Sequence, residues 1–467
     1  MRTKKGNDIE LLLSRLDKEQ LCEFIREECS NDRQLQQRFL ALGAGTIFAT
    51  KYTDYQSRIK DVIEEFGGRH GYVEYRRTFD LNRAVCKILD EADVAMNNHR
   101  WEVAIAILEG AATVGEDILS CGDDSAGELG SIVEECFEKW HRLCNEELLP
   151  QEIKSRIFDL AIKYFTCGCL KGFDWWWDWI QMAISLANTS DKQERIITVL
   201  DNIINTKGDE WSVKYNKETA QRYKLEIMSK SGTPEQQRKF MYDNVGNPDF
   251  RRRLLQMAWD NGNYDEALHL AKDGVAHDSE YVGLVNEWHK WELNSYRHKN
   301  DNANILKLSR YFFFEGGRFC EKEYSMETMY ALMKSIVPND DWSDFVDSLI
   351  NEASKKKNEV RFLFIYTQEK MWERYIEYLR NTPSIYHLDD APRQVWELYK
   401  DELIPLYTLC VRNFFQYASN RNSYCEGVSL LRKLIKYGGN TEADEIIYEL
   451  KTRKPRRPAL IDELSKL

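Results

Sequence analysis

Apolar residues recur at three- and four-residue spacing along almost the whole chain, and this periodicity leaves room for little besides helix. Only nine prolines interrupt 467 residues. Asn-Gly turns between alternating apolar runs, the signal of β-hairpins, are missing. The chain is expected to be all-α.

Short turns punctuate the helices in a recurring form. "LDEADVAMNNHRWEVAIAIL" leads into a helix with Trp101, Ala104 and Leu108. "LLQMAWDNGNYDEALHLA" carries Gly262, Tyr264, Ala267 and Ala271, and "LLRKLIKYGGNTEADEIIYEL" carries Gly438, Ala443 and Ile447. Each time an apolar helix meets a tight turn, and a second helix opens with a small residue that lets two backbones approach. This is the form of a tetratricopeptide-type hairpin. The period is not constant, and "YTQEKMWERYIEYL" puts Tyr375 in the small-residue slot. The expected architecture is an irregular α-solenoid of tetratricopeptide-like antiparallel helical hairpins.

Three segments are expected. A helical hairpin over 1–50 is capped at Asp17 or Ser14, with Leu35, Phe39 and Leu42 on its second helix. A first solenoid segment covers 51–240 and a second covers 241–467, the two continuing as one superhelix. Within the first, helices are expected over Leu81–Met96 and Trp101–Leu119, with a loop over 120–130.

The stretch most like a site is "FDWWWDWIQMAISLA", with Trp175, Trp176, Trp177 and Trp179. On a helical wheel its apolar arc is about 200° wide, against roughly 100° for an ordinary surface helix. Such an arc suits a helix sandwiched between two neighbours. Trp175, Trp176 and Trp179 are therefore expected in the core. Trp177 falls at the edge of the arc, beside the polar strip of Asp178, Gln181, Ser185 and Asn188, and is the candidate for an exposed contact.

No constellation for catalysis is found. Gly-x-x-x-x-Gly-Lys-Ser/Thr, Gly-x-Ser-x-Gly and His-Glu-x-x-His are all missing. Cys167 and Cys169 form a Cys-x-Cys pair without two further ligands at sensible spacing, so they read as core residues. "GDDSAGEL" holds Asp123, Asp124, Ser125 and Glu128 but not the ladder of a calcium loop. Asp124 or Ser125 is expected to cap the next helix, with Glu128 completing a capping box. Neither an enzyme nor a cofactor or metal is expected.

Charge speaks to partners. The net charge of −12 argues against general nucleic-acid binding. Residues 109–147 hold eleven acidic and two basic residues, which suits a basic partner; Asp123, Asp124 and Glu128 join Trp177 as candidate partner contacts. Two basic clusters, Arg251, Arg252 and Arg253, then Arg453, Lys454, Arg456 and Arg457, are candidate nucleic-acid contacts. No apolar run is long enough for a membrane span, no leader is evident, and the eleven cysteines lack framework spacing. Together these point to a cytoplasmic protein with reduced thiols.

Several stretches resemble one family. "LLSRLDKEQLCEFIREECSNDRQLQQRFL", "CGDDSAGELGSIVEECFEKW", "WDNGNYDEALHLAKDGV" and "KPRRPALIDEL" resemble, in that order, the C-terminal helical region of bacterial SWIM zinc-finger proteins. That family holds zinc in an N-terminal Cys-x-Cys…Cys-x-His module, which this sequence lacks. The resemblance implies a bacterial protein whose helical region serves protein interaction, and it carries no zinc site over. A separately encoded zinc-finger module would be a fitting partner. The expected function is a non-enzymatic protein-interaction scaffold presenting a helical-repeat groove, with a nucleic-acid-associated accessory protein as the alternative.

Overall fold

A computed structural model describes residues 16–32, 35, 51–68, 71–208, 210–315 and 321–467. Among them lie twenty-four α-helices, one 3-10 turn and no strand beyond two isolated bridges. The chain is all-α. It divides into two compact units, up to Met257 and from Ala258.

The first unit opens with α1 (Lys18–Asn31), α2 (Tyr52–Phe66), α3 (Tyr75–Asn97), α4 (Trp101–Thr113), α5 (Gly115–Ser120) and α6 (Glu128–Cys144). It continues through α7 (Gln151–Cys167), α8 (Trp176–Ser185), α9 (Ser190–Ile204), α10 (Trp211–Ser231), α11 (Pro234–Asp243) and α12 (Pro248–Asp260), in which the division falls. The second unit holds α13 (Tyr264–His277), α14 (Val282–Lys299), α15 (Asn302–Glu315), α16 (Met326–Ile336), α17 (Asn339–Lys355) and α18 (Glu359–Gln368). It ends with α19 (Trp372–Asn381), α20 (Ile385–Asp389), α21 (Arg393–Tyr417), α22 (Arg421–Lys436), α23 (Asn440–Thr452) and α24 (Pro458–Leu464).

One backbone device generates the hairpins. His99, Gly262, Asn300, Lys357, Lys370 and Gly438 all have positive φ, between 51° and 99°. Each sits at the end of a helix, and the next residue's N–H bonds back five residues, as from Arg100 to Ala95 (2.8 Å), Asn358 to Ala353 (2.8 Å) and Gly439 to Leu434 (3.0 Å). This is a left-handed C-terminal cap that satisfies two orphan carbonyls. In all six turns the following helix starts two residues later, at Trp101, Tyr264, Asn302, Glu359, Trp372 and Asn440. The fifth residue past the turn is buried every time: Ala104, Ala267, Ile305, Phe362, Tyr375 and Ala443.

Helices pack on near neighbours in the chain, at one to three places' remove: α2 on α4, α3 on α4 and α6, α8 on α7 and α6, α14 on α13, α16 on α15. Within each unit this makes an irregular α-solenoid of tetratricopeptide-like hairpins. Lys357 and Lys370 lie one short helix apart, so α18 closes one hairpin and opens the next.

Details differ from expectation where tertiary contacts intervene. The helix expected over Trp101–Leu119 breaks at Val114, because α5 must turn to bring Gly115 against Leu170; a Cβ on Gly115 would lie 2.9 Å from the Leu170 side chain. Asp17 caps α1, accepting from the Gln20 N–H (2.8 Å) in a full capping box. Phe39, Leu42 and Ser14 lie outside the described residues. After Gly71 the chain is briefly extended and makes a single bridge with the segment at Gly122, in which Val73 donates to Cys121 O (2.8 Å). Gly122 permits it, since a Cβ there would meet Val73 O at 2.5 Å.

Candidate functional site

The tryptophan stretch is core, but not in the order the wheel implies. Trp179 is fully buried among Phe137, Trp140 and Tyr164, with ring centroids 5.0, 6.2 and 5.1 Å away. Trp176 stacks on Phe165 at 4.5 Å and donates to Phe165 O (2.9 Å). Trp177, expected exposed, is 4% accessible. It lies between Phe165 of α7 (5.4 Å) and Tyr223 of α10 (5.6 Å). The wheel could not see α10, which arrives from far along the chain to cover the edge of the arc. Trp175, expected buried, is the residue before α8 and only half-buried, with its ring against Gly130. Trp177 is thus corrected from exposed contact to core.

The polar strip of α8 is where the surface becomes distinctive. His141 Nε2 of α6 and Asp178 Oδ1 of α8 lie 2.7 Å apart. Gln181 donates to the Tyr223 hydroxyl of α10 (2.8 Å). Tyr215 of α10 donates to Asp174 Oδ1 (3.2 Å), just before α8. Trp211, one turn ahead of Tyr215, stacks on it at 5.3 Å and an interplanar angle of 14°, and is 73% exposed. Burial raises the pKa of both tyrosines, with the Asp174 carboxylate adding to the effect at Tyr215, so both hydroxyls stay protonated. Three helices, α6, α8 and α10, thereby share one polar and aromatic face.

The acidic stretch is largely spent inside the fold. Glu109, in the buried helix α4, accepts from the Tyr164 hydroxyl (2.5 Å). Glu116 accepts from the Leu170 N–H (2.9 Å), and Asp117 pairs with Lys60 (2.9 Å). Asp123 accepts from Ser125, which lowers its pKa. Asp124 caps α6, accepting from Leu129 N (2.7 Å) and Gly130 N (3.1 Å). Glu128 opens the helix and does not close a box; its carbonyl takes a bond from Asn82 (2.8 Å). Glu135 joins Asp90 and Asp93 around Lys139. Glu134, Glu138 and Glu147 stand exposed.

The basic cluster at 251–253 does not form a patch. Arg251 is fully buried, Arg252 pairs with Asp249 (2.7 Å), and only Arg253 is exposed, because these residues point around α12 rather than along one side. That corrects the cluster as a nucleic-acid contact. At the C-terminal end, Arg453, Lys454 and Arg456 are exposed, while Arg457 is half-buried and donates to Ala418 O (2.8 Å).

The second unit holds a polar cleft of about 480 Å³ along α14. Its polar groups bind one another: Lys290 pairs with Glu321 (2.9 Å), and Asn294 donates to the Tyr324 hydroxyl (3.1 Å). Among the described residues no three His, Cys, Asp or Glu cluster as metal ligands, and no helix is long and apolar enough to cross a membrane. Cys169 donates to Ala112 O (3.6 Å) and Cys136 to Leu108 O (3.5 Å). Burial pushes the Cys169 and Cys144 thiols up to about 12, so neither is a thiolate at neutral pH.

These features define a helical-repeat protein. No family model matches the chain, and no curated protein matches it. Among solved structures it is similar to a circular tandem repeat protein with novel repeat topology, at 14% identity over 89% of this chain and 96% of that one, with a TM-score of 0.19. It is also similar to a monomeric mutant of IFIT1 with m7Gppp-AAAA, at 12% identity over 92% of this chain and 99% of that one, with a TM-score of 0.18. Likeness at this level carries no argument about this chain.

Proposed function

We propose that the chain is a non-enzymatic scaffold that binds a protein partner. The observation that supports this reading is the face shared by α6, α8 and α10. Its rings and polar groups are held by bonds between helices, so binding there orders little that is not already ordered. Helical repeats present such surfaces as a matter of architecture. A zinc-finger module on a separate chain is the partner that the family resemblance suggests.

Affinity capture with the whole chain as bait, followed by cross-linking mass spectrometry, tests the reading. Cross-links to one protein, concentrated on α6, α8 and α10, are the expected result. Cross-links scattered over both units, or none, would overturn it. The exposed Arg453, Lys454 and Arg456 favour the second reading, nucleic-acid binding. That reading requires binding to single-stranded or duplex nucleic acid at about 50 mM salt that weakens steeply as salt rises.

A further inference from the structure

We propose that the face on α6, α8 and α10 takes a basic segment of the partner, its arginine or lysine side chains lying between exposed carboxylates and the indole of Trp211. This rests on the scaffold reading and names the chemistry of its ligand.

Charge complementarity argues for it. Glu134 and Glu138 are exposed on α6 one turn apart, and His141 continues the same stripe. Asp178, at the start of α8, meets His141 of that stripe, and Asp174, just before α8, holds Tyr215. Among the described residues, most cations of these helices are held by partners of their own. Lys139 and Arg142, the two basic residues of α6 besides His141, both pair with Asp93 of α3. No basic residue occurs from Phe173 to Asn188. On α10, Arg222 is drawn to Asp249 (3.7 Å), Lys224 to Asp201 (2.5 Å) and Lys230 to Ile184 O (2.9 Å), and Lys214, half-buried beside Tyr215, is itself engaged. Lys217 lies two residues beyond Tyr215 and so projects away from the face.

The aromatic side argues for the same ligand. The near-parallel stack with Tyr215 covers one face of the Trp211 indole and leaves the other to solvent. An indole face is the best aromatic site for a cation. The hydroxyl of Tyr215 is anchored on Asp174, so the platform keeps its orientation toward the carboxylates.

The test uses the whole chain and two labelled synthetic peptides, one alternating arginine with leucine, the other glutamate with leucine, read by fluorescence anisotropy. The arginine peptide is expected to bind and the glutamate peptide not. The combined variant Glu134→Gln, Glu138→Gln, Trp211→Ala should weaken the arginine peptide about tenfold, from two surface ion pairs and one cation–π contact. A control of equal charge change, Asp340→Asn with Asp341→Asn on the exposed start of α17, should leave affinity unchanged. No binding of the arginine peptide, no effect of the combined variant, or equal weakening by the control would each overturn the proposal. A captured partner that cross-links elsewhere would leave the scaffold standing and remove only this face.

Discussion

At the scale of single residues, burial ranks the tryptophans. Truncating Trp177 or Trp179 to Ala removes a ring enclosed on both sides and should cost roughly 3–5 kcal/mol. Trp175→Ala removes a half-buried ring at the helix start and should cost about 1 kcal/mol. Denaturant melts of the three variants check the order; a small shift at Trp177 with a large one at Trp175 would contradict the packing described. The site residues divide in the same way. Asp124 was legible as a cap from its acid in a loop three to six residues ahead of an apolar run. Trp177 was not, because a wheel records only the angle on its own helix, and the ring that covers Trp177 is Tyr223. Nor was Trp211 singled out: a lone exposed aromatic has no periodic signature.

At the scale of elements, the hairpin turn is the controlling feature. Six turns need a left-handed residue, yet only two use Gly. Lys370→Gly should therefore stabilise by about 0.5 kcal/mol, the relief of left-handed strain less the entropy of Gly. Gly262→Ala should destabilise by about 1 kcal/mol, from backbone strain alone, since its added Cβ would meet nothing within 4 Å. Thermal melts of both variants check the opposite signs. The last helix is held by charge. Glu463 accepts from Lys466 through both oxygens (2.7 Å each) and from Arg421 (2.8 Å). The Lys466 ammonium first, then the Cys425 thiol and the Arg421 guanidinium, hold its carboxyl down at about 2, against an ordinary 4.5. A depressed pKa stabilises above the ordinary value and is lost as pH falls toward the folded one. Hydrogen exchange of α24 should differ between the protein and Glu463→Gln above about pH 4.5, with the difference closing as pH drops toward 2.

At the scale of the whole molecule, each unit has its own core, one running from Tyr55 to Ile227 and the other from Leu293 to Leu464. In stacked hairpins each element contacts mainly its sequence neighbours, so damage stays local. Trp179→Ala should speed hydrogen exchange in α6, α7 and α8 and leave α22 unchanged; loss of protection in α22 would show that the units fold as one. Far-ultraviolet circular dichroism should be dominated by helix.

The periodicity of apolar residues by itself determined the helical class, because a 3.6-residue repeat gathers its apolar residues on one stripe only in a helix, and no stretch of strand periodicity offers a sheet to bury it on. The turn positions at His99, Gly262, Lys370 and Gly438 were legible for a related reason: a short polar break between two apolar stripes leaves the chain no option but to reverse. Tertiary structure alone decided which charges and rings remain at the surface. Arg251 and Glu109 carry the same sequence signal as any exposed charge, yet both are buried by helices that approach from elsewhere. The shared face of α6, α8 and α10 exists only through bonds such as Gln181 to Tyr223, between residues far apart in the chain, and no local pattern encodes that pairing.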